Sequence, residues 1–168
     1  LKWNYKDYPP GHFDMIWASP PCNTFSILQY TWIGRERKIN GEKVTFTHEI
    51  LNEQEKQGVR ILNKVKEIIE YFQPKNYFIE NPQTGRMKNY MDGYQFTDVC
   101  YCMYGFDYKK KTRIWHNNEE YLDEGLLCNH KSHARRVGKS ERGVTTLNER
   151  YSIPSQLVES ILRCVPCD

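Results

Sequence analysis

Apolar and polar positions follow two different rhythms along this chain. Phe13-Asp-Met-Ile-Trp-Ala18 is a short apolar run that enters Ser19-Pro20-Pro21. Proline lacks the N–H that a central strand needs, so a strand is predicted to end there and a rigid loop to begin. Residues 23–46 are polar and aromatic with no clear period and are expected to form a loop. From about Glu49 a helix is predicted. Leu62, Val65, Ile69 and Phe72 recur at helical spacing, Thr47 stands at the N-cap, and Pro74 stops the pattern. Asn76 to Glu80 reads as a second short strand, ended by Asn81-Pro82. Thr97–Cys102 and Thr112–His116 read as two more, joined by a loop containing Gly105. Beyond about Asn117 the pattern dissolves into basic, glycine-containing loop. A last helix is predicted over Pro154–Cys164, with proline at its first turn and Leu157 and Ile161 on one face. A strand, a helix, a strand and then further strands predict an α/β sheet with a parallel section. There are no internal repeats and no low-complexity tract.

Composition narrows the picture only a little. The 168 residues suit one domain with a modest core: 39% are hydrophobic, 14% are aromatic, and the mean hydropathy is −0.79. No apolar run approaches the length of a membrane span, and no signal peptide is visible. The six cysteines, at 22, 100, 102, 128, 164 and 167, are expected to be reduced thiols. A net charge of +3 is too mild to identify a nucleic-acid partner by itself. Its distribution is more telling. Lys131, Arg135, Arg136, Lys139 and Arg142 stand against Glu141 alone, which is ordinarily a solvated loop but becomes a candidate phosphate contact beside other signs.

Those other signs sit at strand ends, where open α/β sheets gather their functional groups. The first strand runs into Ser-Pro-Pro-Cys22 and the second into Glu80-Asn81-Pro82, while the fourth contains Arg113. Singly, each has a dull explanation. A lone cysteine is usually a small buried hydrophobe, a strand-end glutamate a cap, and an arginine in a lysine run a solvated charge. A nucleophile, a proton donor and a cation from one class of position are harder to dismiss together.

In this order the motifs resemble a known family. Ala18-Ser-Pro-Pro-Cys22-Asn-Thr-Phe-Ser26 is similar to the Pro-Cys loop of cytosine-C5 DNA methyltransferases, and Phe78-Ile-Glu-Asn-Pro82 to their Glu-Asn motif. Tyr104-Gly-Phe followed by Lys111-Thr-Arg-Ile-Trp115 resembles the family's Gln-x-Arg-x-Arg strand, and Ile153-Pro-x-x-Leu157 its closing motif. The wording is nearest to the small enzymes of bacteriophages and other large DNA viruses, such as those of restriction-modification systems. The resemblance implies a Rossmann-like S-adenosylmethionine-dependent methyltransferase fold, present from about its fourth strand onward. It implies double-stranded DNA as partner and S-adenosylmethionine as methyl donor, in a cytoplasmic setting with no membrane, no metal and a monomeric full-length enzyme.

Roles follow residue by residue. Cys22 would add to C6 of a flipped-out cytosine, Glu80 would hold and protonate N3, and Arg113 would bond the O2 edge. Ser19, Pro20 and Pro21 would line the cofactor, the prolines also stiffening the backbone beside the nucleophile. Asn81, Pro82, Ser26, Lys111, Arg135 and Arg136 are assigned to the DNA side, although Asn81 also suits holding the loop and Ser26 capping the next turn. The expected division is a catalytic part over residues 1–116, a short basic recognition region over 117–150, and a helix over 151–168 that packs back.

The chain departs from the family in two places. The Phe-x-Gly-x-Gly turn and the acidic residue that open the cofactor site have no counterpart, since no two of the 10 glycines stand one or two residues apart. The chain, which starts at Leu1, is therefore expected to be a portion of a larger enzyme with an incomplete cofactor pocket. At the arginine strand, Lys109 and Lys111 stand where the family has Gln and its first Arg, and lysine keeps the charge without the planar fork.

Three rivals compete. The Ser19-Pro20-Pro21 turn fits an amino-methyltransferase loop, though Cys22 stands where an aromatic is expected. A non-catalytic zinc-containing DNA module would draw on Cys128-x-His130-x-x-His133, Cys164-x-x-Cys167 or Cys100-x-Cys102, the last pair on one face of a strand. A split subunit that needs a partner for the missing half is the third.

Overall fold

The computed structural model describes residues 3–135 and 145–166. Arg136, Lys139, Arg142 and Cys167 lie outside them. Four strands form the main sheet: β1 (Met15–Ala18), β4 (Asn76–Pro82), β5 (Phe96–Cys100) and β6 (Lys111–His116). A separate hairpin, β2 (Glu36–Ile39) and β3 (Glu42–Thr45), lies in the segment expected to be loop. The helices are α1 (His48–Phe72), α2 (Leu147–Tyr151) and α3 (Ser155–Arg163).

Strand order in the main sheet is β1-β4-β6-β5. β1 and β4 are parallel, and β6 runs antiparallel to both β4 and β5. The sheet is thus mixed, with its antiparallel strand one place in from the edge. A parallel pair needs a crossover, and α1 supplies it. Thr47 caps its start by accepting from the Ile50 N–H at 3.4 Å. At its end Gln73 turns left-handed (φ 47°) just before Pro74. Leu51, Leu62 and Phe72 are its buried positions, together with Gly58.

Strand alternation sends the core to two faces. On one, Phe78, Val99 and Ile114 pack with Tyr101, Tyr104 and Tyr121 beneath Leu157 and Ile161 of α3. On the other, Ile79 and Trp115 pack with Leu62 of α1 and with Phe25, Met87 and Met91. The two faces divide the candidate chemistry as well. Glu80 pairs with Ile114, whereas Asn81 pairs with Arg113, and Arg113 with Asp98. Cross-strand partners share a face, so Glu80 lies on the α3 side, and Asn81, Arg113 and Asp98 on the α1 side.

Candidate active site

Cys22 opens a 3₁₀ turn, Cys22–Phe25, directly after the Ser19-Pro20-Pro21 bend. Four separate tethers fix this turn. Phe25 is fully buried in the α1-side core. The Thr24 hydroxyl donates to the Pro21 carbonyl at 2.8 Å. The Asn81 side-chain amide, itself fully buried, donates to the Pro20 carbonyl at 2.8 Å. Arg86, buried beside Glu55, donates to the Thr24 carbonyl at 3.2 Å and to Gln29 at 3.1 Å. α1 comes so close that it needs Gly58 at the contact, where a Cβ would stand 2.8 Å from the Thr24 Cβ. The nucleophile candidate therefore sits on a loop held as firmly as core.

Glu80, nearly buried on β4, meets two partners through Oε1: the Tyr101 hydroxyl donates to it at 3.1 Å, and the Lys110 Nζ stands 3.9 Å away. Oε2 has no partner among the described residues. Burial, and then the neighbouring Glu80 carboxylate, push the Tyr101 phenol far above its ordinary range, so Tyr101 acts as a fixed donor. Lys110 also lies over the Tyr101 ring, 4.4 Å from its centroid, and donates to the Arg150 carbonyl at 2.9 Å. Burial lowers the Lys110 pKa, opposed by the charges of Glu80 and Cys22. The thiol responds in turn. Burial pushes Cys22 up from its ordinary value, Lys110 pulls it down, and Glu80 adds to the rise. Cys22, Glu80 and Lys110 thus form one electrostatic unit at the carboxyl ends of β1 and β4.

The other residues singled out by sequence fall elsewhere. Arg113 makes a two-pronged bond to Asp98, Nε to Oδ1 at 2.7 Å and Nη2 to Oδ2 at 2.8 Å, and lies 3.6 Å over the Phe96 ring. Burial works to raise the Asp98 carboxyl, but Arg113 and Gln83 override it and hold it below the usual range. Arg113 is therefore on the face opposite Glu80, tied to its neighbouring strand. Arg135 is likewise occupied: its Nε donates to both Asp107 carboxylate oxygens, at 2.9 and 2.7 Å, and its Nη1 to Glu149 at 2.6 Å. Lys111 is exposed, and Asn81 and Pro82 belong to β4, which ends at Pro82. The Ser26 hydroxyl caps the next 3₁₀ turn by accepting from the Leu28 N–H at 3.3 Å. Ser19 accepts from the Trp17 indole at 3.0 Å. Cys102 does not share a strand face with Cys100. It stands in the 3₁₀ turn Tyr101–Tyr104 that follows β5.

Sequence reasoning missed Lys110 and Tyr101. The lysine was adjacent to the positions chosen, Lys109 and Lys111, and a one-residue shift along a strand reverses the face. The period-2 pattern of Thr112, Ile114 and His116, extended back one step, reaches Lys110 on the Glu80 side.

Comparison with known proteins finds a relative. The chain is 34% identical over 182 residues to the probable DNA (cytosine-5)-methyltransferase of Frog virus 3 (isolate Goorha), an alignment covering 96% of this chain and 80% of the viral protein. No protein-family profile matches the chain.

Proposed function

The chain belongs to the DNA (cytosine-5)-methyltransferase family, and from that premise we propose that it methylates C5 of a cytosine flipped out of double-stranded DNA, with Cys22 as nucleophile. The observation that carries this assignment is a tethered thiol, Cys22, under the charges of a nearly buried carboxylate, Glu80, and a half-buried ammonium, Lys110, themselves 3.9 Å apart.

C5 of cytosine is a poor nucleophile until something adds to C6. The Cys22 thiolate forms a bond to C6, and the ring electron pair moves toward N3, which takes a proton from Glu80. C5 becomes enamine-like and is ready for an electrophilic methyl. Lys110 favours the thiolate before attack and balances the Glu80 carboxylate left after proton transfer. It takes the place beside the base first assigned to Arg113. Tyr101 holds Oε1, so Oε2 is the oxygen offered to the base. Loss of the C5 proton then returns an electron pair to the ring and expels the thiolate. Asn81 holds the loop through Pro20.

S-adenosylmethionine, the family's methyl donor, supplies an electrophilic methyl when bound. Ser19, Pro20 and Pro21 are the residues that would hold it. They fit one wall of such a site, with Ser19 and Pro21 exposed at the carboxyl end of β1. The parallel β1–β4 pair, followed by antiparallel β6 and then by β5 in the direction of β4, supports a Rossmann-like methyltransferase sheet from its fourth strand onward. We assign residues 1–116 to catalysis, with Lys111, Lys131 and Arg136 toward DNA phosphates.

The test is covalent trapping by the full-length protein on duplex DNA carrying 5-fluorocytosine, in the presence of S-adenosylmethionine. Fluorine at C5 blocks the final elimination, so a stable protein–DNA adduct is expected, and it is lost in Cys22→Ser. An adduct or turnover that persists in Cys22→Ser overturns the assignment.

A further inference from the structure

Away from the thiol and carboxylate of the active site, four other side chains converge. Cys102, in the 3₁₀ turn after β5, meets Cys128, His130 and His133 from the irregular segment after β6. All four ligating atoms lie within 4.8 Å of one another. Cys128 Sγ is 3.6 Å from His130 Nδ1 and 3.3 Å from His133 Nε2. We infer that these four residues bind one structural zinc ion, which fastens the segment after β6 to the wall of the active site.

Two of the distances approach those of a tetrahedron. Zinc holds thiolate sulfur at about 2.3 Å and imidazole nitrogen at about 2.0–2.1 Å, which sets sulfur–nitrogen edges of about 3.6 Å. Both Cys128 contacts fall near that length. No separation in the group exceeds 4.8 Å, at most about 1 Å beyond the longest tetrahedral edge, a shift that side-chain rotation supplies. Two thiolates and two imidazoles suit zinc over the hard cations, which take oxygen. With four protein ligands no position is left for water, so the ion is structural and not catalytic. Cys100, fully buried and 3.3 Å from Cys102 Sγ, is a neighbouring thiol outside the ligand set.

The surroundings give the ion work to do. The segment is fastened at one end by the Leu126 carbonyl, which accepts from the Cys100 N–H at 2.9 Å, and by the Leu126 N–H donating to the Tyr104 hydroxyl at 3.0 Å. At the other end the Arg135 N–H donates to the Asp107 carbonyl at 3.2 Å. Between these ties the chain has no helix or strand, and Leu127 is 60% exposed. Hydrophobic burial contributes little there, and a metal at Cys128, His130 and His133 pins the middle of the span. Its fourth ligand, Cys102, follows directly on Tyr101, which donates to Glu80.

Metal content of the full-length protein decides the matter. After expression with added zinc and dialysis against EDTA, one zinc per chain is expected by mass spectrometry. Cys128→Ser and His133→Ala are expected to lose at least nine-tenths of it, while Cys22→Ser, Cys164→Ser and Cys100→Ser retain it. Cys128→His restores a ligand and is expected to keep the metal, which separates loss of a ligand from loss of fold. Cobalt(II) titrated into the wild-type apoprotein is expected to give a tetrahedral ligand-field spectrum with thiolate charge transfer. The inference fails if the wild type holds no zinc, if Cys128→Ser retains it, if Cys100→Ser empties the site, or if Cys102 is found in a disulfide.

Discussion

Gly58→Ala tests whether the loop carrying Cys22 is positioned by the helix beneath it. Taken alone, the change favours the helix by about 1 kcal/mol, because alanine loses less backbone freedom than glycine. Here the new methyl would stand 2.8 Å from the Thr24 Cβ and 2.9 Å from Phe25 Cζ, and it would overlap the Thr24 hydroxyl. Ordinary carbon contacts are about 3.5–4.0 Å, so the Cys22–Phe25 turn must retreat by about 1 Å. Overpacking of this size costs about 1–3 kcal/mol, which leaves a net loss of about 0–2 kcal/mol after the helix gain. The protein stays folded at 25 °C. Catalysis is affected far more, because Thr24 is tied to the Pro21 carbonyl beside the nucleophile, and a displacement of about 1 Å at a reacting atom costs about 100-fold in rate. Single-turnover methylation and urea denaturation on the same preparation separate the two effects. The expected result is a 10- to 100-fold slower transfer in a folded protein, with exposed Ile61→Ala on the same helix unchanged. A wild-type rate in Gly58→Ala, or a loss no larger than its unfolded fraction, would refute the reasoning.

Three more outcomes follow from the same geometry. In Lys110→Met the cation that lowers the Cys22 pKa is gone, so the alkaline-rising limb of the pH–rate profile moves to higher pH; an unmoved limb would disconnect Lys110 from the thiol. Glu80→Gln is expected to slow transfer at least 100-fold with less than a threefold change in DNA affinity, read by single turnover and by filter binding. His116 reports on acid stability. Its Nδ1 faces the Asn118 N–H at 3.3 Å and the Gln95 amide, so the ring is held neutral, and burial lowers its pKa from 6.5 to about 4. The unfolded chain takes up that proton first, so this contribution is whole above about pH 6.5 and is lost as pH falls toward 4, by about 3 kcal/mol in all. Urea midpoints between pH 7 and 4.5 are expected to fall less steeply in His116→Gln than in the wild type, and parallel curves would exclude His116 as the cause.

The sheet strands were legible as short runs with bounded ends, and the long and closing helices because they bury apolar side chains at helical spacing. The β2–β3 hairpin was not, since Glu36–Ile39 and Glu42–Thr45 are charged and mostly exposed, with no apolar alternation. Its turn was written plainly in Asn40-Gly41, both at positive φ, the usual two-residue hairpin connection. α2 was missed in the same way, although Thr146 and Glu149 form a capping box. Within the site, Cys22 and Glu80 were legible from the Pro-Pro and Asn-Pro punctuation after their strands. Arg113 was placed by its motif and Arg135 by charge, and neither signal reveals that Asp98, Asp107 and Glu149 pair with them. Cys102 reads as a strand partner of Cys100, but the strand ends at Cys100, so its meeting with Cys128, His130 and His133 was not legible.

The Lys110 ammonium is fixed by the carbonyl of Arg150, and that bond has a consequence for synthesis. A ribosome reaches Arg150 well over a hundred residues after Cys22, on the order of 10 s later at ordinary elongation speed. Throughout that interval the thiol is already made, but the backbone carbonyl that holds its cation does not yet exist. The Lys110 cation is therefore fixed beside Glu80 only when the far end of the polypeptide folds back.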